Sequence, residues 1–219
     1  MVLILVWAYT ILRVVWRRLP LAMGFFSFRW MTARFIGAED APGPEVKGNT
    51  GVLNDEILDL GFSYLGLREE GLIPWGRKIR ELVYFDDQSA AFAALPMARG
   101  YGYYFISPLS DGSLVMTTRS KTVWISANDH ATLPIGKVLP DKAFDIHQDN
   151  VKSRARDGVF PIGDFTRESR LAATRAYYAS AYAHKQMRRI GGIALLSIVI
   201  YMGFLAYACK AFLSIVLLR

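Results

Sequence analysis

The sequence predicts a membrane-anchored α+β protein, in which an antiparallel meander of five to six strands with flanking helices lies between two hydrophobic segments. Three observations predict this fold class. Residues 191–209 form an apolar run without a charged residue, residues 62–126 repeatedly alternate apolar and polar side chains, and hydrophobic residues make up 53% of the 219-residue chain. Period-two alternation is typical of half-buried strands, and long uncharged runs are typical of transmembrane helices.

The C-terminal run predicts a transmembrane helix over residues 191–218. Its first nineteen residues carry no charge, and as a helix they are about 28 Å long, close to the ~30 Å hydrocarbon core of a bilayer. Lys210 follows at the far end, where its side chain can reach the membrane interface. A core helix of a soluble protein would show a polar face at this length, and this run shows none.

The N-terminal segment, residues 1–36, is predicted to hold a short span followed by an interfacial stretch. Residues 1–16 are apolar apart from Arg13, and they lack the basic region before the apolar run that a signal peptide has. They either cross the bilayer or lie in its plane. Residues 21–35 mix Phe, Trp and Met with arginine, a composition typical of an interfacial helix.

The basic excess of the chain lies at these two ends. The formal net charge is +7, from 26 basic and 19 acidic residues. Residues 1–36 hold five arginines and residues 191–219 hold two basic residues, so the middle has 26 − 7 = 19 basic residues and all 19 acidic ones. This distribution argues against a uniformly basic nucleic-acid-binding domain and for a lipid bilayer, with anionic headgroups, as a partner. The residues expected at the membrane interface are Arg17, Arg18, Arg29, Arg34, Lys185, Arg188, Arg189 and Lys210.

The charge flanks also predict the orientation. Basic clusters follow the first apolar run and precede the second, so both face the middle of the chain. The positive-inside rule then predicts a protein with two membrane segments and a cytoplasmic middle domain. The single cysteine, Cys209, lies in the second run and cannot form an intramolecular disulfide, in agreement with a reducing compartment.

Between the membrane segments, a linker over residues 37–50 is predicted from its prolines and glycines, followed by an α+β domain over residues 51–163. A short helix at residues 52–60 precedes the strands, and Asp111-Gly112 supplies the turn of one hairpin. The predicted strands are residues 62–69, 79–85, 90–97, 103–109, 114–118 and 122–126.

Two helices are predicted after the strands. The first begins at Pro140 and ends near Asp157, before Gly158. The second, an amphipathic helix over residues 164–190, is expected to be capped by Asp164 and to continue into the C-terminal span. It carries a stripe at three- and four-residue spacing that is suited to close packing against a neighbour, formed by Ala172, Ala176, Ala179, Ala183 and Met187.

Motifs for catalysis, nucleotide binding and metal binding are absent from the sequence, so we expect no catalytic residue, cofactor or metal. Asp145, His147 and Asp149 resemble a metal cluster in spacing only. Residues two apart on a helix point in nearly opposite directions, so His147 cannot share a site with these acids. An enzyme with an unfamiliar site is not excluded by this absence.

His147 shares the predicted inward face of its helix with Phe144 and Val151. One interpretation is a pocket for a lipid or small ligand, lined by the ligand-binding residues His147, Tyr103, Phe105 and Trp124. The alternative is a core histidine hydrogen-bonded to a backbone carbonyl.

Two functional hypotheses follow from the sequence. The first is a non-catalytic accessory protein, such as a scaffold, an assembly factor or a small subunit of a membrane complex, with other membrane proteins as partners. The second is a membrane-anchored binding module that uses the aromatic sheet and His147.

Overall fold

The computed structural model describes residues 2–24, 26, 31–38, 43, 45–72, 78–97, 102–119, 130–133 and 138–217. The chain divides into two compact units. One unit contains the N-terminal helix and the C-terminal helix from Ala183 onward, and the other contains Thr32–Gly71 and Lys78–Tyr182. The α+β fold belongs to the second unit.

A seven-stranded sheet with sequential strand order forms the centre of the second unit. Its strands are β1 (Met31–Ile36), β2 (Ser63–Leu72), β3 (Ile79–Asp86), β4 (Ala91–Pro96), β5 (Tyr104–Pro108), β6 (Leu114–Arg119) and β7 (His130–Leu133). Each neighbouring pair from β2 to β6 is antiparallel, and β7 runs parallel to β6. The predicted antiparallel sheet with flanking helices is therefore confirmed. The strand predicted at residues 122–126 lies outside the described residues.

The predicted hairpin joins β5 to β6. Gly112 at its turn has a φ of 79°, which glycine adopts without strain. Asp111 Oδ1 accepts a hydrogen bond from the backbone N–H of Ser113 at 2.9 Å. Asp111 and Gly112 thus form the turn that the sequence predicts, one through its side-chain hydrogen bond and the other through its positive φ.

Residues 31–36 form strand β1, and the prediction of an interfacial helix through this stretch is wrong. Arg34 lies 3.3 Å from Glu69 of β2, and the Arg167 guanidinium lies 5.1 Å from the centre of the Phe35 ring. The mixture of aromatic and basic side chains thus belongs to the edge of a sheet. The helix before it, α1 (Val2–Gly24), continues past Trp16 and through Pro20.

Helices cover both faces of the sheet. Helices α2 (Asn49–Asp59) and α3 (Pro140–Arg156) pack on one face, where Ile57 and Phe144 join a core that includes Phe105. On the opposite face, α4 (Arg167–Ala179) packs on a core that includes Ile106. Adjacent strand residues point to opposite faces, so the neighbours Phe105 and Ile106 belong to different cores.

Helix α4 differs from its prediction at both ends. Thr166 is the N-cap, accepting a hydrogen bond from the Ser169 backbone N–H at 3.2 Å, whereas Asp164 accepts from the Thr166 hydroxyl at 2.8 Å. The predicted cap at Asp164 is therefore wrong. At the other end, Ser180 has an extended backbone (ψ 147°) and interrupts the helix.

Helix α5 (Ala181–Leu217) begins directly after this interruption and includes Gly191 and Gly192 without a break. The break thus lies eleven residues before the predicted bend. The buried face of α4 consists of Arg170, Ala173 and Thr174, while Ala172 and Ala179 of the predicted small-residue stripe are exposed.

The first unit contains α1 and the apolar part of α5. Ala183–Phe212 is the one described helical stretch that is long and apolar enough to cross a membrane, with a mean hydropathy of 2.1. Its large side chains are exposed, with Leu196 and Val199 each 61% accessible. Arg18 of α1 donates a hydrogen bond to Ser197 of α5 at 2.6 Å, so the two helices lie side by side at this point.

Candidate functional site

A buried set of charged and polar side chains lies between the sheet and α4. We call it the ionic cluster, and its members are Arg68 and Glu70 of β2, Glu81 of β3, Tyr104 of β5, and Arg170, Thr174 and Tyr178 of α4. Arg68 and Glu81 are direct partners in the β2–β3 register. Side chains of paired residues lie on the same face of a sheet, and here that face is the one that α4 covers.

Glu81 is the centre of the cluster on the sheet side. Its Oε1 accepts a hydrogen bond from Arg68 Nε at 2.5 Å, and its two oxygens lie 2.9 and 2.8 Å from the donating Tyr104 hydroxyl. Arg68 also donates from Nη2 to Glu70 at 2.5 Å and from Nη1 to Thr174. The guanidinium of Arg68 therefore joins two strands and the helix.

Arg170 completes the cluster from the helix side. Its Nη2 donates to the Tyr104 hydroxyl at 2.6 Å and to Glu81 Oε1 at 3.3 Å, and its Nη1 donates to Thr174 Oγ1 at 2.7 Å. One turn further along α4, the Tyr178 hydroxyl donates to Glu70. Three side chains spaced four residues apart thus attach one face of α4 to the sheet.

The cluster is buried and electrically balanced. The side chains of Arg68 and Arg170 are each 2% exposed, and Glu81 is 5% exposed. Two guanidinium groups face two carboxylates, Glu70 and Glu81. A buried charge without a partner costs several kcal/mol, so the residues of the cluster depend on one another.

The pKa values of the cluster residues are consistent with this pairing of charges. Burial by itself would lower the pKa of Arg68, but the charges of Glu81 and Glu70 outweigh it and raise that pKa. Burial raises the pKa of Tyr104 and of Tyr178 well above the ordinary value of a tyrosine. Both phenols therefore remain protonated donors at neutral pH.

A second charged group surrounds Glu69 and is much more accessible. Its carboxylate lies 3.3 Å from Arg34, 2.8 Å from Lys78 and 3.4 Å from Arg80, and all three cations are at least 60% exposed. The hydrogen bond from Lys78 is the largest cause of the lowered pKa of Glu69. Arg34, expected at the membrane interface, thus takes part in an ion pair within the sheet.

His147 lies at the inner face of α3 and is 1% exposed. Its Nε2 is 3.0 Å from the Ser107 hydroxyl oxygen and its Nδ1 is 3.1 Å from the Thr117 hydroxyl oxygen. Burial lowers the pKa of His147 to about 3, so the imidazole is neutral at physiological pH. The expected core partner was a backbone carbonyl, and the observed partners are two hydroxyl groups.

The hydrogen bonds of Ser107 assign the tautomer of His147. The Ser107 hydroxyl donates to the Ala90 carbonyl at 2.8 Å, so its oxygen accepts from His147 Nε2–H. Thr117 then donates to the unprotonated Nδ1. In a hydrolytic serine–histidine pair the serine donates to the histidine, and this pair has the opposite polarity. Ser107 is also 0% exposed.

The structure brings three of the four predicted ligand-binding residues together. The Phe105 ring centre lies 5.8 Å from the His147 ring and 5.8 Å from the Tyr103 ring. Tyr103 is 1% exposed and donates to the Val138 carbonyl at 2.7 Å. Trp124 lies outside the described residues. A ligand at this place would have to displace core side chains, because all three described residues are buried.

The predicted membrane-interface residues have different surroundings. Arg18 contacts Ser197, whereas Arg17 is exposed, as are the α5 residues Lys185, Arg188, Arg189 and Lys210. Arg29 lies outside the described residues. Among the described residues, no three His, Cys, Asp or Glu side chains form a group that could hold a metal ion.

Sequence reasoning missed the ionic cluster. One signal was present, since Glu81 interrupts the apolar alternation of Ile79, Val83 and Phe85 at a position that the pattern assigns to the interior.

Compared with known proteins, the chain matches no family model, no curated protein and no solved structure.

Proposed function

We propose that this chain is a non-catalytic integral membrane accessory protein, a scaffold, assembly factor or small subunit of a membrane complex, with a cytoplasmic α+β domain. One observation carries the proposal. The apolar helix α5 exposes its side chains along its length and follows α4 after a single non-helical residue, Ser180. Helix α4 is in turn attached to the sheet by buried ionic contacts.

The exposed surface of α5 supports insertion into a bilayer. Only 6% of its most apolar stretch is buried within the chain. Soluble monomers rarely expose contiguous apolar patches larger than a few hundred Å². Lys185, Arg188 and Arg189 lie at the end of α5 nearer the domain, which by the positive-inside rule favours a cytoplasmic domain.

Helix α1 supports a second membrane segment. Its 23 residues extend about 34 Å, enough to cross the hydrocarbon core by length, although its three arginines leave it less apolar than Ala183–Phe212 of α5. The hydrogen bond from Arg18 to Ser197 pairs it with α5. Serine hydroxyls commonly link helices within membranes in this way.

The accessory role is tested by affinity purification of the full chain in a mild detergent. We expect other membrane proteins to co-purify in fixed proportion. Recovery of the chain alone, across several detergents and at native expression level, would contradict an accessory role.

A matched pair of α5 variants sharpens this test. Leu196→Lys places a charge at a 61% exposed position within the apolar stretch, whereas Arg188→Lys keeps the charge at its domain-side end. We expect Leu196→Lys to impair insertion, because a central lysine costs about 2.5–3.5 kcal/mol. Partners should be lost with Leu196→Lys and retained with Arg188→Lys.

The second candidate is a membrane-anchored binding module for a lipid or small ligand, using His147, Tyr103, Phe105 and Trp124. The observation that favours it is the grouping of a neutral histidine with aromatic rings on one sheet face, where a ligand would have to displace buried side chains. Native mass spectrometry of the detergent-purified chain tests it. A bound molecule that His147→Gln releases would support this role, and the absence of any bound molecule would contradict it.

A further inference from the structure

We propose that one face of α1 binds an anionic phospholipid, with its phosphate at Arg13 and Arg17 and an acyl chain along the neighbouring apolar side chains. The inference rests on the proposed membrane insertion and adds a defined lipid site to it.

A groove on the surface of α1 provides the shape. It has a volume of about 410 Å³ and is lined by Tyr9, Leu12, Arg13, Val15, Trp16 and Leu19. Tyr9, Leu12 and Trp16 are 66%, 51% and 59% exposed. The lining is apolar and aromatic except for one guanidinium, a composition that matches an amphiphile with an acidic head.

The aromatic side of the groove faces away from α5. Arg18 directs its side chain to α5. A helix turns about 100° per residue, so Trp16 and Tyr9 lie roughly 160–180° around α1 from Arg18. Val15 and Leu19, at about 60° and 100° from Arg18, form the edge of the groove nearer α5. The exposed aromatic side is therefore accessible to lipid when α1 and α5 pair.

Two arginines give this face of α1 a positive charge that calls for an anionic partner. Arg13 and Arg17 are one turn apart on the same side of α1, and α1 contains no acidic residue. Both are exposed, and neither makes a hydrogen bond or an ion pair with any part of the chain that the structure describes. An arginine in a membrane segment is unfavourable unless it has a partner or reaches the interface.

A phospholipid meets this requirement better than an acidic helix of another protein. Guanidinium groups bind phosphate through paired hydrogen bonds. Arg17 and Arg18 mark the expected membrane boundary, and Arg13 lies about 6 Å deeper along the helix. Trp16, between Arg13 and Arg17, is a residue type enriched at the headgroup level. The charges thus lie at phosphate depth, and Leu12 and Tyr9 lie on the side of the acyl chains.

Native mass spectrometry of the full chain in mild detergent, titrated with phosphatidylglycerol or phosphatidylcholine, tests the site. We expect preferential binding of phosphatidylglycerol. The variant Arg13→Gln should lower its affinity about fivefold, which corresponds to about 1 kcal/mol for one basic residue near anionic lipid. Arg13→Lys should fall between Arg13→Gln and the natural chain, because lysine keeps the charge and loses the paired geometry.

The matched control is Arg188→Gln, which removes an exposed arginine from the flank of α5. We expect this variant to change the affinity less than twofold. Equal binding of the two lipids would overturn the inference, as would an equal loss in Arg188→Gln, which would indicate diffuse attraction. An unchanged lipid affinity in Arg13→Gln together with the loss of a co-purifying protein would assign the groove to a partner helix.

Alkaline carbonate extraction of the same membranes separates this inference from the proposed function. A chain that resists extraction but shows no lipid preference would contradict the lipid site alone. A chain that is extracted would contradict membrane insertion and the lipid site with it. Circular dichroism of each variant in detergent, compared with the natural chain, verifies that the fold is retained.

Discussion

At the scale of single residues, Glu81 connects the sheet to α4. It accepts hydrogen bonds from Arg68, Tyr104 and Arg170 within a site that excludes solvent. The alternation of β3 predicts an interior side chain at this position, but it cannot predict which cations meet it. One of those cations comes from 89 residues further along the chain. Long-range pairing of this kind depends on the complete fold.

Replacement of Glu81 tests the importance of the cluster. In Glu81→Gln, two buried guanidinium groups lose their shared carboxylate, so we expect the free energy of unfolding to fall by about 3–5 kcal/mol. Urea denaturation followed by circular dichroism measures it. The control is Glu69→Gln, whose carboxylate is also buried but whose three cations are at least 60% exposed, so a much smaller loss is expected. Equal losses would contradict the role of the buried guanidinium groups.

His147 makes stability depend on pH. Its pKa is about 3 in the folded chain, because burial disfavours the charged form, against about 6.5 when unfolded. Above pH 6.5 both states are neutral, so the folded chain keeps its full stability. As the pH falls from 6.5 toward 3, only the unfolded state takes up the proton. We therefore expect a loss of about 2 kcal/mol between pH 6.5 and pH 5.

The variant His147→Gln tests this dependence by urea denaturation at a series of pH values. It should remove most of the slope between pH 5 and pH 6.5. A slope that persists in His147→Gln would assign the dependence to other groups.

At the scale of elements, strands β2 to β6 and helices α2 and α3 were predictable from local pattern. Apolar residues alternate along these strands and recur once per turn along these helices. Gly61 and Gly158 terminate the two helices with φ values of 92° and 80°. Strand β1 was mistaken for an interfacial helix because aromatic and basic residues suit both settings. Its partners, Glu69 and Arg167, are supplied by distant parts of the chain.

Strand β2 also contains an irregularity that depends on glycine. The register to β3 shifts between Tyr64 and Gly66, and Gly66 has a φ of 148°. A Cβ atom there would lie 2.8 Å from Arg167 Nη2. Arg167 in turn donates to the Leu65 carbonyl at 3.1 Å and the Ala38 carbonyl at 2.7 Å. Gly66 thus leaves room for the side chain that joins α4 to β2 and the end of β1.

The variant Gly66→Asn should therefore destabilise the domain, by about 1–3 kcal/mol from backbone strain and more from displacement of Arg167. Gly112→Asn is the matched control. Its φ of 79° is accessible to asparagine, and nothing lies within 4 Å of an added Cβ atom. Thermal unfolding of both variants measures the difference. A loss in Gly112→Asn as large as that in Gly66→Asn would contradict the requirement for glycine at position 66.

At the scale of the whole molecule, we propose that the apolar helix α5 anchors the α+β domain to a bilayer. The sequence alone predicted the apolar C-terminal helix, because its signal is a local run of side chains. The helix break at Ser180 was not predictable from Gly191 and Gly192, since the chain remains helical through both glycines. The break coincides instead with the end of the α4 face that contacts the sheet.

The central claim is that α5 crosses the membrane and holds the domain in the cytoplasm. The most direct measurement is the labelling of single cysteines in intact cells by a membrane-impermeant maleimide. Cys209 is the only cysteine, so Cys209→Ala provides a cysteine-free background for Glu45→Cys and Arg219→Cys, which lie on either side of the predicted span. We predict labelling of Arg219→Cys in intact cells and of Glu45→Cys only after lysis. Labelling of both positions under the same condition would contradict the account.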